Sequence, residues 1–491
     1  MALADAARAP GGPLDRSLIG RAAIASAACL LAAGIGALAG ASPSQALGLV
    51  AVAAFLPIVV TRFTIGVGIF IISTFLGLSG TAQKGIGLVV IVVALGFLIS
   101  DRSTPNFFAD HKRLTLLILA YLAWCVVGLT WAQSTHDVTY SLERYIPNFL
   151  VYIVVYTAAR DRLDIRLLAG FFVLGAAFAA GDAVLSPPPA SAYADVSRVG
   201  GLFGDPNYFA AVLVTGFALA VALSQAKSLT TLGRAIAGVA AGLCLLGILL
   251  SVSRGGLIAL GVALAAAVCL AGRWRGRLAA ATIVVALAVI FYFFALAPPD
   301  ARQRLTSSQG GGSGRTTIWK VGWREVQHHT VLGVGAGNFS VAGIPYVFEP
   351  GLIDHNAQGY TAYFVDTPTV AHNTYLEILA EEGIVGAAIF LLIILSSLEC
   401  ARRAALRFRE AGDEEMELVS YGLLCGLLGF LAASFFLSEE YSKQLYLLLA
   451  MGPALLHVAN TARVEVPVPA AIRRSARRRA VTAAAAPYAA G

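Results

Sequence analysis

The chain has 491 residues, of which 58% are hydrophobic and 13% charged, with a mean hydropathy of +0.77. That composition excludes a soluble multidomain protein. The net charge of +7 then speaks of membrane topology and anionic lipid rather than nucleic acid.

Apolar runs long enough to cross a hydrocarbon core of roughly 30 Å recur along the chain, and in lipid such runs must be helices because their backbone groups find no outside partner. The fold class expected is all-α, a polytopic membrane helical bundle of about 12–14 spans with one large outer loop. Fourteen candidate spans lie near 18–40, 44–60, 64–80, 85–100, 114–131, 147–159, 167–186, 207–225, 235–251, 255–272, 278–297, 373–398, 417–437 and 442–459. The first is too long for a signal-peptide core and carries Arg21, so an uncleaved start is expected. With both termini in the cytoplasm, the inner segments collect 25 of the 35 Lys and Arg residues, and half of the other ten sit in one long outer loop. This is the positive-inside pattern. The six cysteines fall in spans or at their inner ends with no CxxC spacing, which indicates neither a disulfide framework nor a zinc site.

The outer connections are short except three. Residues 132–146 and 187–206 form modest loops, and 298–372 is the one sizeable soluble segment. Within it "SSQGGGSG" reads as a flexible hinge. The following "RTTIWKVGWREVQHH" spaces Ile318, Val321 and Val326 helically, with Trp319 and Trp323 four apart, as in an amphipathic helix lying at the outer interface. The sequence divides into N-terminal helices (1–197), a core (198–398) including loop 298–372, C-terminal helices (399–460) and a basic tail (461–491), expected to be disordered or lipid-associated. No internal repeat is visible, which weighs against an inverted-repeat transporter.

Four patches put costly groups where lipid begins. Arg254 in "LLSVSRGGLIALG" stands at the outer end of a span, on the side the charge bias disfavours; Gly255 and Gly256 strip away side chains so that a ligand or another helix can approach. Arg315 opens the interfacial helix, where a bound anion would resolve the mismatch between a cation and the helix dipole. Lys320 and Arg324, with Arg302 and Arg304, make the same loop basic and suited to steering an anionic headgroup. His372 in "AHNTYLEILAEEGIVG" opens the next span beside this loop, with Asn373 and Tyr375 next to it. Glu377 and Glu381 lie four apart on roughly the opposite face, and read as helix-start charges or partners for the loop's basic residues. "GGLFGDPNYFA" reads as an Asp205-Pro206-Asn207 turn and cap, with Asn207 and Tyr208 as substrate-lining candidates.

Together, "SRGG" at a span's outer end, "GRTTIW…VGAGNF" in the long loop, "AHNTYLEILAEEGIVG" and "GLFGDPNYFA" resemble the O-antigen ligase and polysaccharide polymerase superfamily across residues 198–398. The resemblance implies a GT-C-like, metal-independent, inverting glycosyltransferase without cofactor, and places the bundle in the inner membrane with its large loop in the periplasm. Its donor would be a glycan on undecaprenyl pyrophosphate and its acceptor a lipid A-core or another glycan, with no nucleic acid partner. By position it implies that Arg254 and Arg315 grip the pyrophosphate and His372 activates the acceptor hydroxyl. Bidentate guanidinium–phosphate contacts and an imidazole titrating near neutrality suit those tasks. The acceptor is written in no motif: ligase, polymerase and protein glycosylase share these residues. A lipid-linked glycan transporter would place charges near the midplane instead.

Overall fold

A computed structural model describes residues 54–78, 80–100, 104–186, 198–270, 272–306, 315–352 and 370–462. The predicted span 18–40, most of 44–60, the hinge at 307–314, Asp354, Asp366 and the tail from 463 lie outside the described residues. Among those described there is no strand.

After a helical segment at 54–61, the elements in chain order are α1 (Phe63–Ser73), α2 (Gly80–Ser100), α3 (Phe107–Asp110), α4 (Lys112–Gly128), α5 (Thr135–Ala158), α6 (Arg162–Leu185), α7 (Pro206–Ser224), α8 (Thr231–Leu250), α9 (Arg254–Leu270), α10 (Arg275–Phe291), α11 (Pro299–Thr306), α12 (Arg315–His328), α13 (Phe339–Val347), α14 (Thr374–Glu410), α15 (Glu414–Ala433) and α16 (Lys443–Ala462). The caps are local and legible. Ser134, Asp161, Asp205, Thr230, Asn373 and Asp413 each accept a hydrogen bond from a backbone amide in the first turn that follows, and Pro206 takes the first position of α7.

Among the described residues seven stretches are long and apolar enough to cross a membrane: Ala82–Ser100, Arg162–Leu185, Pro206–Ser224, Thr231–Leu250, Gly272–Leu296, Thr374–Glu410 and Glu414–Phe436. The multipass all-α class is borne out. The count of fourteen is not reproduced among the described residues. The spans predicted at 64–80 and 255–272 are shorter apolar helices, and those at 114–131, 147–159 and 442–459 fall in helices that do not meet both criteria. Pro206–Ser224 and Glu414–Phe436 are the innermost, each 72% buried, whereas Gly272–Leu296 at 0% lies on the periphery. Small residues let the inner pair touch: a Cβ on Gly426 would lie 2.9 Å from the Thr215 backbone.

One end of the bundle is tied by ion pairs between the connections expected to face the cytoplasm. Arg162 meets Asp413 at 2.7 Å, Arg166 meets Glu415 at 3.0 Å, and Lys227 meets Glu414 at 3.0 Å. Buried Glu417 lies between Arg273 at 2.6 Å and Arg409 at 2.8 Å. The other end carries the candidate site.

Two expectations change there. Residues 132–146 are not a loop: α5 starts at Thr135, capped by Ser134, and runs through Pro147. Of the polar residues that made it look like a loop, Glu143 and Arg144 line a cavity, whereas Thr135, His136 and Thr139 are exposed on the first turns of the helix. The apolar stripe of α12 does not lie on lipid. Ile318, Val321 and Val326 are buried with Phe339, Ala371 and Ala380, because α13 and the start of α14 cover that face.

Helix α14 is broken. Gly383 has φ 63° and ψ −172°, so the chain turns between residues 382 and 384 before continuing as the long span. The loop 330–337 hooks into the break: the Val334 amide donates to the Ala380 carbonyl at 3.0 Å, that of Gly335 to Glu381 at 2.7 Å, and that of Ile384 to Thr330 at 2.9 Å. Only hydrogen fits between them, since a Cβ on Gly383 would lie 2.2 Å from the Val331 carbonyl oxygen and one on Gly333 would lie 2.2 Å from that of Glu381.

Candidate active site

The tight link Ser251–Ser253 joins α8 to α9 and delivers Arg254 as the first residue of α9, exposed at the bundle end. The glycines after it serve helix packing: a Cβ on Gly256 would lie 2.5 Å from Ala210 of α7, and one on Gly255 would lie 3.3 Å from Phe436. Of the two readings of that pair, the close approach of another element is the one realised.

Helix α12 runs from Arg315, where the described residues resume, to His328. It is docked through Trp319, whose indole N–H donates to the Ala371 carbonyl at 3.0 Å and whose ring meets Phe435 and Phe436. That contact sets α12 beside His372. The histidine is half-buried at φ 48°, left-handed backbone that histidine adopts more readily than most residues. Burial and then the nearby Arg315 guanidinium lower its proton affinity below the ordinary histidine value, while Asp205 pulls the other way. His372, Arg315 and Asp205 therefore form one electrostatic group, and the imidazole is held neutral near neutrality, the form that accepts a proton.

The other candidates divide. Asn373 is buried and spends its side-chain oxygen capping α14, accepting from the Tyr375 and Leu376 amides at 3.1 Å. The Tyr375 hydroxyl donates to the Leu431 carbonyl at 2.7 Å. Arg324 is paired with Glu349, and Lys320 is exposed on α12. Asn207 accepts from Arg198 at 2.9 Å and from the Ser253 hydroxyl at 2.8 Å. Tyr208 is the candidate that lines a cavity, with its hydroxyl against Ser442 at 3.0 Å and Gln444. Glu377 and Glu381 are neither helix-start surface charges nor partners of the loop's cations. Both are buried: Glu377 accepts from the Ala371 amide at 3.1 Å and from Ser438, and Glu381 from the Phe339 amide at 3.3 Å. The loop 330–337 and the segment 437–442 fold over this helix face and supply backbone and hydroxyl donors in place of cations.

A cavity of about 940 Å³ lies next to this group, between α2, α5 and the segment 437–444. Lys84, Arg144 and Lys443 line it together with Glu143, Asp205 and Glu439. Arg144 stacks on Tyr441 with its guanidinium carbon 3.8 Å from the ring centroid. Glu439 is buried, and burial, Glu440 and Asp205 raise its proton affinity well above the usual carboxylate range. Three basic and three acidic side chains thus meet at one end of the cavity. Deeper along the same helices the lining is apolar: Val90 and Ile91 on α2, Val151 and Val154 on α5. At 1.5 Å per residue, Ile91 lies roughly 10 Å from Lys84 along the axis, and Val154 roughly 15 Å from Arg144. The cavity thus has a charged head with three basic side chains and an oily depth, and Asp205 on its wall also acts on His372.

Lys84, Arg144 and Lys443 were not among the sequence candidates. A signal existed. The ten basic residues that the charge bias leaves outside are five in the long loop and Lys84, Arg144, Arg198, Arg254 and Lys443. Three of those last five line the cavity, and the other two sit at the α8–α9 turn. Among the described residues no group of three or more His, Cys, Asp and Glu side chains is arranged to hold a metal ion.

Fold and site together define a multipass helical membrane protein with a cavity of charged head and apolar depth, near a histidine whose proton affinity is lowered. Residues 239–391 match the family model described as O-antigen ligase. That match, over less than half of the chain, supports a function of ligase or polymerase type in the broad sense and suggests a glycosyltransferase-like enzyme. The match takes in Arg254, Arg315 and His372, and leaves out the cavity's cations. A comparison with curated proteins gives no match.

Proposed function

We propose that the protein transfers a glycan from undecaprenyl pyrophosphate to an acceptor hydroxyl of lipid A-core at the periplasmic face of the bacterial inner membrane. The observation that carries this reading is the cavity: basic side chains at its head, apolar side chains along its depth, and on its wall Asp205, whose charge also acts on His372. A polyprenyl pyrophosphate has that same division of charge and oil. The polyprenyl chain lies along α2 and α5, and the pyrophosphate sits among Lys84, Arg144 and Lys443, within reach of Arg315 and Arg254. Each charge-assisted bond to the departing phosphate is worth about 1.5–3 kcal/mol, and those bonds strengthen as charge builds in the transition state.

The acceptor oxygen attacks the anomeric carbon from the face opposite the pyrophosphate. The new glycosidic C–O bond forms as the bond to the pyrophosphate breaks, the anomeric centre inverts, and the hydroxyl proton goes to the imidazole of His372. No metal is needed, because guanidinium and ammonium groups meet the charge that a divalent ion would otherwise carry.

The test is reconstitution. Purified protein in detergent with undecaprenyl-pyrophosphate-linked oligosaccharide and lipid A-core should give the joined product and free undecaprenyl pyrophosphate. Extension of the lipid-linked glycan instead would make the protein a polymerase. No transfer to either acceptor, with movement of the lipid across liposome bilayers, would refute transferase function.

A further inference from the structure

The turn that presents Arg254 is strained and held from outside. Val252 is a β-branched residue at φ 46°, a conformation that persists only where the surroundings impose it. Its side chain is buried with Ala297 and Ala301 at the head of the long outer loop. Its polar surroundings come from Arg198. That guanidinium donates through Nε to the Ser251 carbonyl at 3.1 Å and through a terminal nitrogen to Asn207 Oδ1 at 2.9 Å. The same Asn207 oxygen accepts from the Ser253 hydroxyl at 2.8 Å, and Ser253 Oγ in turn accepts from the Gly256 amide at 3.0 Å, capping α9. The Val199 amide adds a bond to the Leu250 carbonyl at 3.4 Å. One arginine thus binds the residues on both sides of Val252, one directly and one through Asn207, and so fixes where α9 begins.

We propose that Arg198 is a positioning residue: by bridging Asn207 and the Ser251 carbonyl it holds the α8–α9 turn in the conformation that aims Arg254 at the donor's pyrophosphate. This rests on the reading of Arg254 given above. Arg198 acts through Arg254, because its own guanidinium is engaged with the turn. Without it Val252 can relax out of the left-handed region, the Ser253 cap loosens, and the first turn of α9 reorients.

The experiment is a double-mutant cycle read as Kd for undecaprenyl pyrophosphate on purified protein in nanodiscs. Arg254→Ala alone weakens binding by about tenfold or more, the worth of one lost charge-assisted contact. Arg198→Ala weakens it by a similar factor, and Asn207→Leu, which removes the shared acceptor, does likewise. In the Arg254→Ala background, Arg198→Ala adds little, because there is no longer a guanidinium to aim. Multiplying losses would overturn the proposal and make Arg198 a direct phosphate contact; an unchanged Kd in Arg198→Ala overturns it as well. If Arg198→Ala does not accumulate as a folded protein, Arg198→Lys takes its place. One ammonium keeps the charge but cannot span both acceptors, so Kd rises in the same direction, and wild-type binding in that variant refutes the bridge. Unchanged binding in Arg254→Ala itself removes the donor reading of Arg254, and the aiming role with it.

Discussion

Replacing Gly383 by alanine tests whether the hook of residues 330–337 on the broken helix holds the outer domain in place. At φ 63° and ψ −172° the backbone is in a region open essentially to glycine, at a cost on the order of 1–3 kcal/mol for another residue. The added Cβ would also stand 2.2 Å from the Val331 carbonyl oxygen and 2.6 Å from the Gly333 nitrogen, so the loop must move. Moving it breaks the bonds from the Val334, Gly335 and Ile384 amides, at 3.0, 2.7 and 2.9 Å, each worth about 0.5–1.5 kcal/mol. The total is about 3–7 kcal/mol, enough to detach the hook locally while the buried helices stay folded. Hydrogen exchange in detergent should show the Val334 and Gly335 amides losing protection by about two orders of magnitude or more, with transfer activity falling alongside. Gly242→Ala is the control, since its Cβ meets nothing within 4 Å and alanine favours a helix interior. Unchanged protection at Val334 and Gly335 in Gly383→Ala would show that the hook contributes nothing to the outer domain's stability.

Four further outcomes are expected. His372→Ala lowers turnover by about 10²–10⁴-fold with donor binding little changed, and a collapse of donor affinity at an unaltered chemical step would move His372 onto the phosphate. The acid limb of kcat/KM lies below the ordinary histidine range of about 6.5, because burial and Arg315 depress the proton affinity of His372; Arg315→Gln shifts that limb upward, and a downward shift contradicts the assignment. Arg144→Ala and Lys443→Ala each raise the donor KM by about tenfold or more, and EDTA leaves turnover intact; loss of turnover restored by magnesium would overturn the metal-free mechanism. Glu325 is buried, neither of its carboxyl oxygens has a hydrogen-bond partner among the described residues, and burial and Glu381 raise its pKa to about 10. An unfolded chain releases that proton near pH 4.5, so stability is fullest below that pH and declines as pH rises towards 10; Glu325→Gln should flatten the decline in melting temperature, and an identical slope would show Glu325 ionised in the fold.

The solvent and the helical class followed from composition alone, because lipid leaves a backbone no other way to satisfy its amides. The cap at Asp205, the helical run that follows Arg315 and the entry to α14 at Asn373 were equally legible, since each depends on a few neighbouring residues. The bias of basic residues separated an ion-paired end from a site end, and its exceptions mark the site. Tertiary structure decided the rest. Local polarity made 132–146 read as a loop, but Glu143 and Arg144 stay exposed where they line the open cavity formed with α2 and residues 437–444, so the helix continues. Helical spacing set Glu377 and Glu381 facing out, yet their donors arrive from residues 337–339, 371 and 438. Helical periodicity carries no trace of a partner so far away in the chain. Asn207 and Tyr375 read as free to meet substrate for the same reason: the Arg198 and Leu431 that occupy them are brought there only by the fold.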